Sequence, residues 1–116
     1  VGEVTRASQV FAFFAAESIR ASGAGQALPS VRPGVGVEVT REPLGVVGLI
    51  TPWNFPLAIF AGQVVAALVA GNTVAAKPAE QTPFVALRMV ELLHDAGVPA
   101  DALVLLHGAG ETRTVA

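Results

Sequence analysis

The chain has 116 residues, seven basic against nine acidic side chains, two histidines and no cysteine. That length holds a single domain with one core and is short for separate cofactor and substrate domains. A net charge of −2 with no basic cluster excludes the usual footprint of nucleic acid or of an anionic membrane surface, and the lack of cysteine excludes disulfides, thiolate metal sites and thiol catalysis within these residues. The hydrophobic fraction of 53 % is above the usual soluble range, which implies either membrane association or apolar surface that something else covers.

The opening residues, Val1-Gly2-Glu3-Val4-Thr5-Arg6, carry no initiator methionine and no signal or transit character, and read as a cut within something longer. Residues 3–22 place Val4, Ala7, Val10, Phe11, Phe14 and Ile19 at helical spacing with Arg6, Glu17 and Arg20 off that stripe. This predicts an amphipathic helix with Gly23 as its C-cap. Residues 27–41 predict a hairpin, with Arg32-Pro33-Gly34 as the turn and Val37 and Val39 alternating with Glu38 and Thr40. Such an arm is half buried, or pairs with another chain.

Residues 43–76 carry no charge. A membrane span needs about 20 predominantly apolar residues, and here Pro52, Asn54, Pro56, Gln63 and Asn72 interrupt the run, so the pattern reads as a buried strand, helix and strand. Strands are predicted at 45–50, 73–76 and 102–107, and helices at 56–70 and from Pro83 to Ala96, with Thr82 as N-cap and Gly97 and Pro99 as the stop. Arg88, Glu91 and Asp95 fall on one solvated face of the second of these helices. The β-α-β-α-β order with apolar strands and short connections predicts an α/β fold: a partial, doubly wound, Rossmann-like parallel sheet behind a leading helix and a hairpin arm. The division is residues 1–23 for the leading helix, 24–43 for the arm and 44–116 for a truncated nucleotide-binding half.

Two blocks lie where a strand gives way to a helix, the place where open α/β sheets bind ligands. The first is Thr51-Pro52-Trp53-Asn54-Phe55-Pro56. Its prolines fix the backbone around Asn54, and a rigidly held amide suits an oxyanion donor; equally, Asn54 suits a turn residue that caps the helix beginning near Pro56. Trp53 suits a packing anchor, while its backbone lies where a cofactor would pass. The second block is Lys77-Pro78-Ala79-Glu80. Lys77 is the single lysine, and Glu80 stands where a carboxylate grips ribose hydroxyls in such sheets, though both also suit a solvated loop. Gly108-Ala109-Gly110 opens a G-x-G pattern that Arg113 leaves incomplete. His94 and His107 have no metal-ligand spacing and read as a surface helix position and a strand end, so no metal site is predicted.

Taken together, Glu42-Pro43-Leu44-Gly45-Val46-Val47, the block at 51–56, Ala70-Gly71-Asn72-Thr73, Lys77-Pro78-Ala79-Glu80-Gln81-Thr82-Pro83 and His94-Asp95-Ala96-Gly97-Val98-Pro99 resemble the NAD(P)-dependent aldehyde dehydrogenase superfamily over essentially the whole chain. The resemblance implies oxidation of an aldehyde to its acid through a cysteine thiohemiacetal, with Asn54 as the side-chain half of the oxyanion hole. It also implies that Ile50, Thr51, Pro52 and Trp53 line the cofactor, that Lys77 and Glu80 hold the adenosine ribose, and that Gly110 borders the adenine cleft. An acidic Glu80 favours NAD over NADP. The arm at 27–41 resembles the family's oligomerisation arm, which implies a homo-oligomer; a cytoplasmic location is the accompanying expectation. The family's nucleophilic cysteine and general-base glutamate have no counterpart in these residues, so the chain corresponds to about a quarter of such an enzyme, and the remainder of a parent chain is the implied partner. Arg113 and Thr114 stand where the family commonly has a small residue. Runs around Gly62 to Leu68 and Ala76 to Gln81 resemble the branch acting on glutamate γ-semialdehyde; those around Leu28 to Gly34 and Val37 to Pro43 resemble the α-ketoglutarate-semialdehyde branch. Both imply a small acidic semialdehyde as substrate.

Overall fold

The computed structural model describes residues 2–21 and 25–109. Gly23, Gly110, Arg113 and Thr114, singled out above, lie outside the described residues. Helix α1 spans Gly2–Ala21, strands β1 and β2 span Gln26–Leu28 and Val37–Val39, and β3 spans Val46–Ile50. Helix α2 spans Ala58–Val69, β4 Thr73–Lys77, α3 Pro83–Asp95 and β5 Leu103–Leu105. The predicted order holds with boundaries shifted by up to two residues, except that the last strand is three residues rather than six; the second strand of the parallel sheet runs one residue further, to Lys77.

Strands β3, β4 and β5 form a parallel sheet in that spatial order, with Val47 opposite Val74 and Val74 opposite Leu103. Alternate side chains of a strand face opposite ways, and the two faces of this sheet differ. On one, Leu49, Val74, Ala76, Leu103 and Leu105 pack with Phe60 and Val64 of α2 and with Ala86, Met89, Val90 and Leu93 of α3. The buried set is largely aliphatic, and fully burying one such side chain contributes about 1.5–3 kcal/mol. On the other face Val46 and Ile50 of β3 are 78 % and 80 % exposed. The expectation of a buried first strand therefore holds for one face only, because both crossover helices cover the same face and nothing among the described residues covers the other.

The helix boundaries have local causes. Pro83 occupies the first turn of α3, where its missing N–H costs nothing. At the other end Gly97 takes φ +103, a left-handed value that a side chain would strain. That turn lets Gly97 N–H reach His94 O at 2.9 Å and Val98 N–H reach Leu93 O at 3.0 Å, satisfying carbonyls the helix leaves free. Thr82 holds the N-cap position, yet its side chain makes no capping bond. Arg88 and Glu91 pair at 2.9 Å on the solvated face, as their spacing predicts.

Helix α1 lies along α2 with the two chains running the same way. Glu3 reaches Leu57 and Ala58 at the start of α2, and Ala21 neighbours Val69 and Ala70 at its end. Small residues allow the approach: Ala7 and Ala61 are buried, and Gly62 faces Val10. The arm forms as predicted, with β1 and β2 antiparallel and Val35 N–H bonded to Arg32 O at 3.3 Å across a turn in which Gly34 has φ +78. Every residue of β1 and β2 is exposed within this chain, so of the two expectations for the arm, burial against its own chain is not met, and pairing with another chain remains. Among the described residues, no helix is long and apolar enough to cross a membrane.

Candidate functional site

Because the three strands are parallel, their carboxyl ends share one edge, and the sheet register joins the two sequence blocks there. Ile50 is the register partner of Lys77, and Thr51 N–H donates to Lys77 O at 3.1 Å, extending the ladder one bond past the strand. Thr51 is 4 % exposed and anchors the turn, whereas Pro52, Trp53, Asn54 and Phe55 are all exposed. Trp53 and Phe55, 61 % and 54 % exposed, flank Asn54 on either side. A packing role for the Trp53 side chain is thereby corrected for the described residues, whose core does not include it.

The helix-capping alternative for Asn54 is also absent. Helix α2 begins at Ala58 with Leu57 as its N-cap and no side-chain bond from that residue. Its first N–H groups instead go to a carboxylate from another helix: Glu3 Oε1 accepts from Leu57 N at 3.3 Å and from Ala58 N at 3.2 Å. The turn is closed by Ile59 N–H donating to Phe55 O at 3.1 Å. Asn54 is left as an exposed amide on a segment bonded at both ends.

In the second block, Lys77 is half-buried and its Nζ donates to Pro78 O at 3.2 Å. Glu80 Oε2 lies 3.7 Å from that ammonium, a salt bridge longer than a hydrogen bond, so both heads retain bonding capacity. An ion pair with Glu80 about half exposed stabilises the fold by about 0–1 kcal/mol. What it does provide is a donor and an acceptor side by side, the pairing that a vicinal diol such as a ribose requires. The residues present therefore fit the sugar of a dinucleotide.

Three polar residues matter in ways the sequence pattern concealed. Glu3 lies inside an apparently ordinary amphipathic helix, 54 residues before the backbone it caps. Asn72, noted in the sequence as an interruption of the uncharged run, is 9 % exposed and its side chain makes three hydrogen bonds. Its Oδ1 accepts from Leu44 N at 2.6 Å and Gly45 N at 3.1 Å, and its Nδ2 donates to Ala67 O at 3.1 Å, tying the entry of β3 to α2. His94, expected on the surface, is half-buried, with its Nε2 3.1 Å from Leu103 O. A carbonyl only accepts, so Nε2 carries the proton and the ring pins α3 to β5. Two concavities, lined by Arg41, Pro43 and Gly71 and by Asn72, Ala96 and Pro99 among others, open at the opposite, amino-terminal end of the strands and contain none of the site residues.

A three-stranded parallel sheet with both crossover helices on one face defines a Rossmann-like α/β protein. More narrowly, the sequence matches the profile of the Aldehyde dehydrogenase family over residues 1–116, and the chain belongs to that family. It is 62 % identical over 73 residues to the bifunctional protein PutA of Klebsiella aerogenes, covering 63 % of this chain and 6 % of that protein. It is 44 % identical over 108 residues to the 2,5-dioxopentanoate dehydrogenase of Saccharolobus solfataricus, covering 93 % of this chain and 22 % of that enzyme. Among solved structures, Bradyrhizobium japonicum proline utilization A superposes with a TM-score of 0.85 at 48 % identity, over 93 % of this chain and 11 % of that one. The chain thus spans less than a quarter of the length of these relatives.

Proposed function

We propose that this chain is the cofactor-holding and oxyanion-stabilising part of an aldehyde dehydrogenase that converts a small acidic semialdehyde to the carboxylic acid with NAD+. The observation that carries this reading is the register of Ile50 with Lys77, which sets the Asn54 turn and the Lys77–Glu80 pair side by side on one sheet edge. Lys77 donates to, and Glu80 accepts from, the hydroxyls of the adenosine ribose. The Glu80 carboxylate repels a 2′-phosphate, which favours NAD+ over NADP+. Ile50, Thr51, Pro52 and Trp53 line the path between ribose and reacting carbon, and Gly110 belongs to the adenine side.

The Asn54 amide N–H donates to the substrate oxygen as negative charge builds there. A preorganised donor of this kind lowers the barrier by about 2.7–4 kcal/mol. These 116 residues hold no thiol, so the attacking cysteine thiolate and the base that activates water come from the remainder of a parent chain. Bound NAD+ supplies the hydride acceptor. The exposed arm, where Leu28, Val37 and Val39 are each 40 % exposed, pairs subunits of a cytoplasmic homo-oligomer. Calorimetric titration of the parent enzyme with NAD+ tests the cofactor assignment: Glu80→Ala is expected to weaken binding about tenfold, in line with loss of a hydrogen bond to a charged group, and unchanged affinity would refute it. The alternative, a binding module without turnover, would be selected by saturable NAD+ binding by the parent protein with no NADH formed from any semialdehyde.

A further inference from the structure

The structure assigns to Glu3 a positioning role: its carboxylate holds the turn that presents Asn54. The assignment of that turn to catalysis rests on the function proposed above; the positioning itself does not. Helices α1 and α2 run side by side in the same direction, so the partial positive charges of their two amino ends lie together. Helix α2 brings no acidic residue in its first turn and no capping side chain of its own. Glu3 is the acidic residue in the first turn of α1, and its Oε1 also accepts both Leu57 N–H and Ala58 N–H of α2. One carboxylate therefore offsets two helix ends.

The consequence falls on the segment between. The chain leaves β3 at Thr51, fixed by its bond to Lys77 O, and is fixed again at Leu57 and Ala58 by Glu3. Only five residues, Pro52 to Pro56, separate the two anchors, and Asn54 is the middle one. Removing the second anchor loosens the α2 end of the turn, which then keeps only the Ile59 N–H bond to Phe55 O and the packing of Leu57 on the core, while leaving every strand pairing intact. With the first α2 N–H groups occupied by Glu3, they are also unavailable as oxyanion donors.

Trp53, the single tryptophan, is adjacent to Asn54 and reports on the turn directly. Time-resolved fluorescence anisotropy of the full chain, compared among wild type, Glu3→Ala and Glu3→Gln, tests the positioning. Glu3→Ala is expected to increase the amplitude of fast Trp53 motion at least twofold with far-ultraviolet circular dichroism unchanged. Glu3→Gln, which keeps an acceptor oxygen, is expected to restore most of the rigidity. Equal Trp53 motion in all three proteins would overturn the assignment; should Glu3→Ala fail to fold, a Glu3→Gln protein whose Trp53 is as mobile as in a short peptide would overturn it too, and one near wild type would support it. In the parent enzyme, Glu3→Ala is expected to lower kcat about tenfold with KM for aldehyde and NAD+ within twofold, and Glu3→Gln to recover it. If Asn54→Ala leaves kcat unchanged while Glu3→Ala still mobilises Trp53, the catalytic reading fails and the positioning stands.

Discussion

Two asparagines stand at opposite ends of the parallel sheet and are used in opposite ways. Asn72, at the amino-terminal end, is buried and spends its amide on three backbone partners, two before β3 and one in α2. Asn54, at the carboxyl end, is exposed in a turn whose backbone is held by Lys77 and Glu3 rather than by its own side chain. A buried amide with its bonds made is a structural joint. An exposed amide on a fixed backbone remains free to bond a ligand, and under the proposed function that contrast separates the end that builds the fold from the end that receives the substrate.

The contrast is sharpest under substitution. In the parent enzyme Asn54→Ala is expected to lower kcat about 10²–10³-fold, the scale of one lost oxyanion donor, while thermal unfolding stays within about 0.5 kcal/mol of wild type, as for an exposed position. A drop in stability with turnover retained would reverse the roles of the two asparagines. Asn72→Ala should do the converse: it strands two N–H groups near Leu44 and Gly45 and costs about 2–4 kcal/mol in urea unfolding, with NAD+ affinity of the folded protein unchanged. The smallest expected effect belongs to Thr82→Ala, at a position that follows the carboxyl end of β4. An N-cap threonine ordinarily contributes about 1 kcal/mol, but this side chain makes no capping bond, so the loss should be below about 0.5 kcal/mol in the same assay.

Much of this contrast was legible in the sequence, and the remainder was hidden for identifiable reasons. Local signals located the elements: the apolar stripe of α1, the Arg32-Pro33-Gly34 turn, and Pro83 and Gly97 at the two ends of α3 each act within a few residues of themselves. The two motif blocks were visible as strand ends, but their adjacency depends on Ile50 pairing with Lys77, a register that 26 intervening residues do not encode locally. Glu3 and Asn72 escaped because their partners lie 54 and 28 residues away and are backbone groups, which leave no mark in residue type. Burial of β3 was overestimated for a similar reason. An apolar strand announces that both faces will be covered, and only the sheet order shows that α2 and α3 take the same one.

The central claim is that the Asn54 turn and the Lys77–Glu80 pair form one reception site for cofactor and aldehyde. A crystal structure of the parent enzyme with NAD+ bound tests it most directly. The account predicts ribose hydroxyls within hydrogen-bond distance of Lys77 Nζ and the Glu80 carboxylate, with the nicotinamide end passing the turn at Thr51 to Asn54. A cofactor bound at the amino-terminal edge beside Asn72, or one that leaves Lys77 and Glu80 without contact, would contradict it.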